Sequence, residues 1–281
     1  MFRLEGVRRD ATLDVGLLNG QIGYVHSVFQ NVLNIELIEQ DRLIAVSTPR
    51  RPLAPDMVRL KETLDFRSVA PDIGTRVVIG EGFTFENGLT VSLDAAPVDL
   101  RVKARVFDAA AVEALYTFLV IHGKEGGMLR PYRKRIEAVS SGRWNTEERF
   151  IDQVMKEGEL ARLIGLGPGL TPAGDDYVTG RLLACHLLGR PLEVPIDVIR
   201  LSRDKTTRVS YHMLRHAYHG RTNEAVLDLF QTLTDIDALK RVLAIGSTSG
   251  TDFLVGVHAG IIAQRSGNRD PSNDREEEDV S

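Results

Sequence analysis

The pattern of apolar and polar positions changes once along the chain. Up to about residue 105, short runs rich in β-branched residues alternate with turn residues, which is typical of β-strands. Asn87-Gly88 separates two of these runs and predicts a tight hairpin turn. Short strands at this spacing favour a small barrel or a sandwich. The strands are predicted over 21–29, 32–38, 43–47, 76–79, 83–85, 89–93 and 98–106.

From Asp108 onward the apolar spacing becomes helical. Helices are predicted over 108–122, 146–163, 174–188, 195–219, 222–233, 235–244 and 250–265. The connector 123–145 fits neither pattern, and its basic cluster predicts either a guanidinium group over a binding cleft or a solvated positive surface; the cluster comprises Arg130, Arg133, Lys134 and Arg135.

The pattern therefore predicts an α+β protein. We expect a β-rich domain over residues 1–105, followed by a helical domain over 106–265 that carries the binding loop described next. Residues 266–281 are almost entirely polar, so they cannot offset the entropy of ordering and are predicted to form a disordered tail.

The most distinctive segment is Gly165-Leu-Gly-Pro-Gly-Leu-Thr-Pro-Ala-Gly-Asp-Asp176, directly before a predicted helix. Backbone amides in a glycine-rich loop, together with the positive end of a helix, suit an anion such as phosphate or a carboxylate. Asp175 and Asp176 would repel a bare anion unless a divalent cation or a basic residue lies between the anion and these aspartates; Mg²⁺ is the metal we would expect. The alternative is a structural cap, in which Thr171 is the N-cap and the two aspartates complement the helix dipole.

A second segment repeats part of this pattern. Ala173-Gly-Asp-Asp-Tyr-Val-Thr-Gly180 aligns without gaps to Ser249-Gly-Thr-Asp-Phe-Leu-Val-Gly256. Residues four apart share one face of a helix, so Asp176 and Gly180 lie on one stripe and Asp252 and Gly256 on another. Small residues in such stripes allow helices to approach closely. The repeat predicts that the two helices pack together and bring Asp176 and Asp252 to one cleft, unless the match is a coincidence of small residues.

Each of three further sets of polar residues has two possible roles. Thr206, Thr207 and Ser210 offer hydroxyl donors to an oxyanion, or they lie on a solvated helix. His26 stands next to Ser27, but neighbours on a strand point to opposite faces, which favours a ligand contact for His26 over a nucleophile pair. The remaining set could bind zinc on one helical face or complement a helix C-terminus; it consists of His212, His216 and His219.

The glycine-rich string, with Ser247-Thr-Ser-Gly250 and Asp252 downstream, resembles the bacterial family represented by AllH. AllH is a subunit associated with oxamate carbamoyltransferase in anaerobic allantoin catabolism. The segments Val25–Phe29 and Thr206–Ser210 are also similar to that family, so the resemblance covers most of residues 20–262. It implies a subunit that acts with larger partners, and exchange of a carbamoyl group between oxalurate and phosphate.

Residues and resemblance together predict a carbamoyltransferase subunit that binds carbamoyl phosphate or an acid like oxamate or oxalurate. The candidate catalytic residues are Asp175, Asp176 and Asp252, with the first two as metal ligands if a metal binds. The candidate substrate contacts are Gly165, Gly167, Gly169, Thr171, Gly174, Thr206, Thr207, Ser210, Ser247, Ser249 and His26. Two alternatives remain: a non-catalytic assembly subunit that binds a small molecule, and a stand-alone Mg²⁺-dependent phosphotransferase or hydrolase.

The composition of the chain limits which partners and cofactors are expected. The 281 residues are 43% hydrophobic with a net charge of -4, which argues against a nucleic-acid partner, since that needs a clustered basic surface. No apolar run reaches membrane-spanning length and the start lacks the apolar core of a signal peptide, so we expect a cytoplasmic protein without a membrane partner. A homo-oligomer is compatible with this composition. A Walker lysine and a dinucleotide fingerprint are absent, so no nucleotide cofactor is expected. Cys185 is the single cysteine, which excludes an internal disulfide.

Overall fold

A computed structural model of the chain describes residues 2–137 and 144–266. The predicted tail beyond Ser266 lies outside the described residues. The chain divides into two compact units, the first formed by Met1–Arg101 with Arg221–Leu227 and the second by Val102–Gly220 with Asp228–Ser281. The predicted α+β class is confirmed: a β-rich N-terminal region precedes a helical C-terminal region.

The first unit is built on one curled sheet that forms a half-barrel. Its strands are β1 (Phe2–Leu4), β2 (Gly6–Asp10), β3 (Ile22–Val28), β4 (Val32–Leu37), β5 (Arg42–Ser47), β6 (Met57–Leu60), β7 (Arg76–Ile79), β8 (Gly82–Phe85), β9 (Leu89–Ser92) and β10 (Ala96–Val98). They follow the order β1-β9-β8-β7-β3-β4-β5-β6-β2-β10 in the sheet, and the pairs β1/β9, β5/β6 and β2/β10 are parallel. Two single-turn helices, α1 (Val15–Leu18) and α2 (Phe66–Val69), accompany the sheet.

Alternating apolar side chains build the core of this unit. In β7, Val77 and Ile79 are buried and Arg76, the residue before Val77, is exposed, because successive side chains of a strand point to opposite faces of the sheet. The hairpin predicted at Asn87-Gly88 is confirmed, and Gly88 has a φ of 84°, which favours glycine.

Three strands of the sheet were not predicted from the sequence: β1, β2 and β6. The prediction of a strand over 98–106 is wrong. Only Val98 of that run belongs to a strand, because β10 begins at Ala96 and the chain then leaves the sheet. Val106 is 98% exposed, so its apolar side chain does not mark a strand.

The segment 221–227 returns to the first unit late in the sequence. Glu224 accepts a hydrogen bond from the Leu53 amide at 3.0 Å and pairs with Arg59 at 2.7 Å and Arg8 at 2.5 Å. These bonds tie residues far apart in sequence, so local periodicity gives no sign of them.

From residue 109 onward the described chain is helical. Several predicted helices are shorter or broken. The predicted helix 195–219 is interrupted because Thr207 has extended backbone angles and caps a new helix, accepting the Ser210 amide at 3.1 Å. Gly158 ends the helix predicted over 146–163, with a left-handed φ of 73°. The helices are α3 (Ala109–His122), α4 (Leu129–Ile136), α5 (Thr146–Glu157), α6 (Ala173–Leu187), α7 (Ile196–Leu201), α8 (Arg208–Tyr218), α9 (Glu224–Leu229), α10 (Ile236–Leu243) and α11 (Ser249–Ser266), with short 3-10 helices at Leu160–Leu163 and Ser202–Asp204.

The helices α6 and α11 form the centre of the second unit. Nearly every described side chain of both is buried. Gly180 faces the Phe253 carbonyl and lies where a Cβ would be 2.8 Å from the Val257 amide nitrogen; Gly256 faces the Tyr177 carbonyl. Tyr177 and Phe253 occupy equivalent positions in the two aligned segments, so the two glycine–carbonyl contacts are equivalent as well. The predicted packing of the two segments is confirmed, with the helices parallel and their aspartates at the same end.

No helix in residues 2–137 and 144–266 is long and apolar enough to cross a membrane.

Candidate functional site

The candidate site is the place where α6 and α11 begin. The hydroxyl oxygens of Thr171, just before α6, and Ser249, the first residue of α11, are 2.8 Å apart. Two parallel helices thus direct their positive ends to one place, which favours negative charge there. Asp176 and Asp252 lie in the first turns of these helices.

Asp175 is fully buried and both its oxygens are used by the chain itself. Oδ1 accepts the Gly165 amide at 2.7 Å, and Oδ2 accepts the Ser210 hydroxyl at 2.6 Å and the Thr206 hydroxyl. Burial raises the pKa of Asp175, while the bonds from Ser210, Thr206 and Gly165 counter that rise. Asp175 therefore fastens the glycine-rich loop to the start of α8.

The other hydrogen bonds of the loop have the same effect. The Thr207 hydroxyl donates to the Leu170 carbonyl at 2.5 Å, and the Gly174 amide donates to the Leu166 carbonyl at 2.9 Å. A Cβ at Gly174 would collide with the Leu163 carbonyl, which explains that glycine by packing. The amides and hydroxyls that the sequence offers to an anion are, at these positions, engaged within the protein.

Asp176 differs sharply from its neighbour. Its side chain is 4% exposed, and its Oδ2 has no hydrogen-bond partner among the described residues. The pKa of Asp176 is raised to about 8, chiefly by burial; the Asp252 and Asp175 carboxylates add to this rise, and hydrogen bonds from the Ser249 and Thr171 hydroxyls oppose it. The proton of this carboxyl group is therefore held up to about pH 8.

Asp252 is fully buried, and its Oδ1 accepts the Met128 amide at 2.7 Å. Its Oδ2 also has no partner in the part of the chain that is described. Burial raises the pKa of Asp252 to about 6, and hydrogen bonds from Met128 and Thr248 limit the rise. A Cβ at Gly127 would lie 2.6 Å from the unpartnered oxygen, and its φ of 54° also favours glycine.

The segment 123–128 was missed by sequence reasoning. Besides the Met128 bond, the Lys124 amide donates to the Thr251 hydroxyl at 3.1 Å, and Lys124 Nζ donates to the Gly246 carbonyl at 3.2 Å. The dipeptide Gly126-Gly127, with φ of 115° and 54°, was the available signal for a backbone that closely approaches another group.

The basic cluster of α4 pairs with acidic neighbours. Glu148, which is nearly buried, lies 2.9 Å from Arg130 and 2.8 Å from Lys134. Arg135 pairs with Asp152 at 3.4 Å. Of the two interpretations of this cluster, these pairs favour a surface role over a guanidinium group held above the site.

The remaining candidates lie as follows. Gly167 and Gly169 are in the loop with φ of 113° and 99°, and Ser247 is exposed in the turn before α11. His26 lies in the first unit on β3, where the pairing register with β4 shifts. Its Nδ1 is 3.1 Å from the Ser27 hydroxyl oxygen, so the expectation that these neighbours point apart is wrong: the register shift interrupts the regular alternation.

Within residues 2–137 and 144–266, no three His, Cys, Asp or Glu side chains converge to hold a metal ion. The zinc interpretation of the α8 histidines therefore gains no support, and the Mg²⁺ expectation stays a prediction.

Comparison with known protein families places this geometry in context. The model of a family described as oxamate carbamoyltransferase subunit AllH matches residues 163–261, and the model of the AllH family N-terminal domain matches residues 9–98. The chain belongs to the AllH family. No solved structure matches it significantly. The AllH match begins at the glycine-rich loop and extends through most of α11, so it contains Asp175, Asp176 and Asp252. The name of the family implies a subunit of an oxamate carbamoyltransferase complex.

Proposed function

We propose that the paired N-termini of α6 and α11 bind the carbamoyl-bearing substrate of an oxamate carbamoyltransferase, which exchanges a carbamoyl group between oxalurate and phosphate. One observation carries the proposal. Asp176 and Asp252 are both buried at adjacent helix ends, and each has a carboxyl oxygen without a partner among the described residues.

An unpartnered buried polar group costs roughly 1–3 kcal/mol, and more when charged, so two of them together indicate a place for a ligand. An ionised carboxylate accepts hydrogen bonds from amide N–H groups, and a carbamoyl group ends in an NH₂ with two such donors. Oxalurate and carbamoyl phosphate combine this NH₂ with a carbonyl and a negative group. The positive ends of two helices favour that negative group.

The two carboxyl groups suit different roles. Asp252, with the lower pKa of about 6, is ionised at neutral pH and would accept the carbamoyl NH₂. Asp176 has a pKa of about 8 and would exchange a proton with the reacting groups as a general acid and base, which works best when the pKa lies near the working pH. Asp175 would act by positioning, since its bonds set the course of the loop.

Titration calorimetry tests the proposal on the purified chain, with oxalurate and carbamoyl phosphate, each with and without Mg²⁺. We expect binding by the wild type and a roughly tenfold to hundredfold weaker affinity in Asp252→Asn, which removes a charged acceptor. Asp197→Asn is the matched control, because the Asp197 side chain is 78% exposed on α7; its affinity should equal that of the wild type.

The same variants in the complex reconstituted with its partner subunits separate catalysis from assembly. Loss of transfer with normal assembly supports a catalytic site. Weaker ligand binding with normal turnover would favour the assembly-subunit alternative, and equal binding by Asp252→Asn and wild type would refute the proposed site. Binding only with Mg²⁺ would support the predicted metal.

A further inference from the structure

The Ser249 hydroxyl group lies where the ends of both helices meet. Ser249 begins α11, its Oγ is 2.8 Å from the Thr171 hydroxyl, and it lies close enough to the Asp176 carboxyl group to lower the pKa of that group. Ser249 is half-buried rather than fully enclosed. A Cβ at Gly246 would lie 2.9 Å from the Ser249 Oγ, so glycine there leaves the hydroxyl uncovered.

A hydroxyl group next to a buried carboxyl group is the arrangement that activates a nucleophile. In its ionised form Asp176 can take the proton of Ser249, and its second oxygen, which has no partner among the described residues, can receive or return a proton. The carboxyl titrates near neutral pH, which suits both directions of transfer. The positive ends of the helices and the Thr171 hydroxyl favour negative charge on an attacked carbonyl oxygen.

We propose that Ser249 is the nucleophile of the transfer reaction and carries the carbamoyl group as a carbamate ester between oxalurate and phosphate. This proposal rests on the proposed function, since it uses the same site and the same substrates.

In the first half-reaction the Ser249 Oγ attacks the carbamoyl carbon of oxalurate, and its proton passes to the Asp176 carboxylate. The bond from that carbon to the oxamate nitrogen breaks, Asp176 returns the proton to this nitrogen, and oxamate leaves.

In the second half-reaction an oxygen of hydrogen phosphate attacks the carbamoyl carbon of the ester. Asp176 takes the phosphate proton, the bond to the Ser249 Oγ breaks, and Asp176 gives the proton to that oxygen. The products are carbamoyl phosphate and the original serine, so the reaction needs no other reactant.

The alternative is direct attack of phosphate on oxalurate, with Ser249 only donating a hydrogen bond. The two routes differ when phosphate is withheld. A covalent route lets the complex exchange isotopically labelled oxamate into oxalurate without phosphate, whereas direct transfer cannot.

The experiment uses the complex reconstituted with its partner subunits, incubated with oxalurate alone. After acid quenching and digestion, mass spectrometry should find one carbamoyl group on Ser249, and labelled oxamate should enter oxalurate. Ser249→Ala should lose both signals and slow transfer by at least about a thousandfold, as loss of a nucleophile does. Oxalurate is the donor because carbamoyl phosphate releases cyanate, which modifies lysines.

Controls keep the two proposals distinguishable. Ser68→Ala, an exposed serine of the first unit, should match the wild type. Ser249→Ala should still bind oxalurate in calorimetry, within about threefold of the wild type, as the two carboxyl groups remain. Two results would refute the nucleophilic role of Ser249 but not the proposed binding site. The first is a wild type that binds oxalurate but does not exchange labelled oxamate when phosphate is absent. The second is full transfer activity in Ser249→Ala. Absence of oxalurate binding by the wild type would overturn both.

Discussion

Replacing Asp176 by Asn tests the buried carboxyl group directly, since Asn has nearly the same shape and does not ionise. Folding raises the pKa of Asp176 from 3.8 to about 8, chiefly through burial. Between these values the folded protein holds a proton that the unfolded chain releases. Unfolding therefore releases a proton, and raising the pH through this window lowers the free energy of unfolding. The loss should be complete above about pH 8.

The magnitude follows from the shift. About four pKa units at 1.36 kcal/mol each give about 6 kcal/mol between about pH 4 and pH 8. Asp252, raised from 3.8 to about 6, adds about 3 kcal/mol in the lower half of the window. Both contributions are large compared with the free energy of unfolding of a typical domain, which is roughly 5–15 kcal/mol.

Asp176→Asn removes the first of these contributions but brings an amide group without an acceptor, which costs about 1–3 kcal/mol. We therefore expect the variant to be less stable than the wild type by that amount at about pH 4, and more stable by about 3–5 kcal/mol above about pH 8. The two stability curves should cross within the window.

Trp144 provides the assay, because it is the only tryptophan and lies in the second unit, with Lys134 Nζ 4.9 Å from the ring centre. Urea unfolding followed by its fluorescence, at steps from about pH 4 to pH 9, gives the free energy of unfolding. Asp197→Asn should follow the wild type throughout. Parallel curves for Asp176→Asn and the wild type would refute the raised pKa and, with it, the acid and base role of Asp176.

Two further predictions concern the loop and the helix pair. Asp175→Asn leaves one acceptor oxygen for donors that use two oxygens in the wild type. Hydrogen exchange should therefore become faster at the amides of residues 165–171, and kcat should fall by more than KM rises. Unchanged hydrogen exchange would contradict the positioning role of Asp175. Gly256→Ala should lower the free energy of unfolding by about 3 kcal/mol, since its Cβ would overlap the Tyr177 carbonyl. Gly80→Ala, with its nearest atom at 3.8 Å, should change it by less than about 1 kcal/mol in the same urea titration, and similar losses in the two variants would contradict close helix packing.

Local signals predicted the elements that depend on local chemistry. The hairpin at Asn87-Gly88 follows from two residues, and the contact of α6 with α11 follows from small residues spaced four apart. By contrast, β2 carries Arg8 and Arg9 and looks too polar for a strand. Its polar side chains are explained by partners such as Glu224, which no local window contains.

Helical geometry explains how far the site could be predicted. Consecutive residues of a helix point about 100° apart, so Asp175 and Asp176 cannot share one environment. The stripe of Asp176 with Gly180 already indicated that Asp176 faces the partner helix. The saturation of Asp175 by Gly165 and α8 could not be predicted, because α8 begins at a break in what looks like one continuous helix.

The two aligned segments place Asp176 and Asp252 in equivalent positions, and equivalent surroundings would divide a shared proton evenly between them. The surroundings differ: Asp252 accepts the Met128 backbone amide, whereas the described neighbours of Asp176 are two hydroxyl donors and two carboxylates. A backbone amide favours the ionised form, so the proton belongs mainly to Asp176. The segment 123–128 is therefore part of the site's chemistry, although it lies outside the two matched ranges, 9–98 and 163–261.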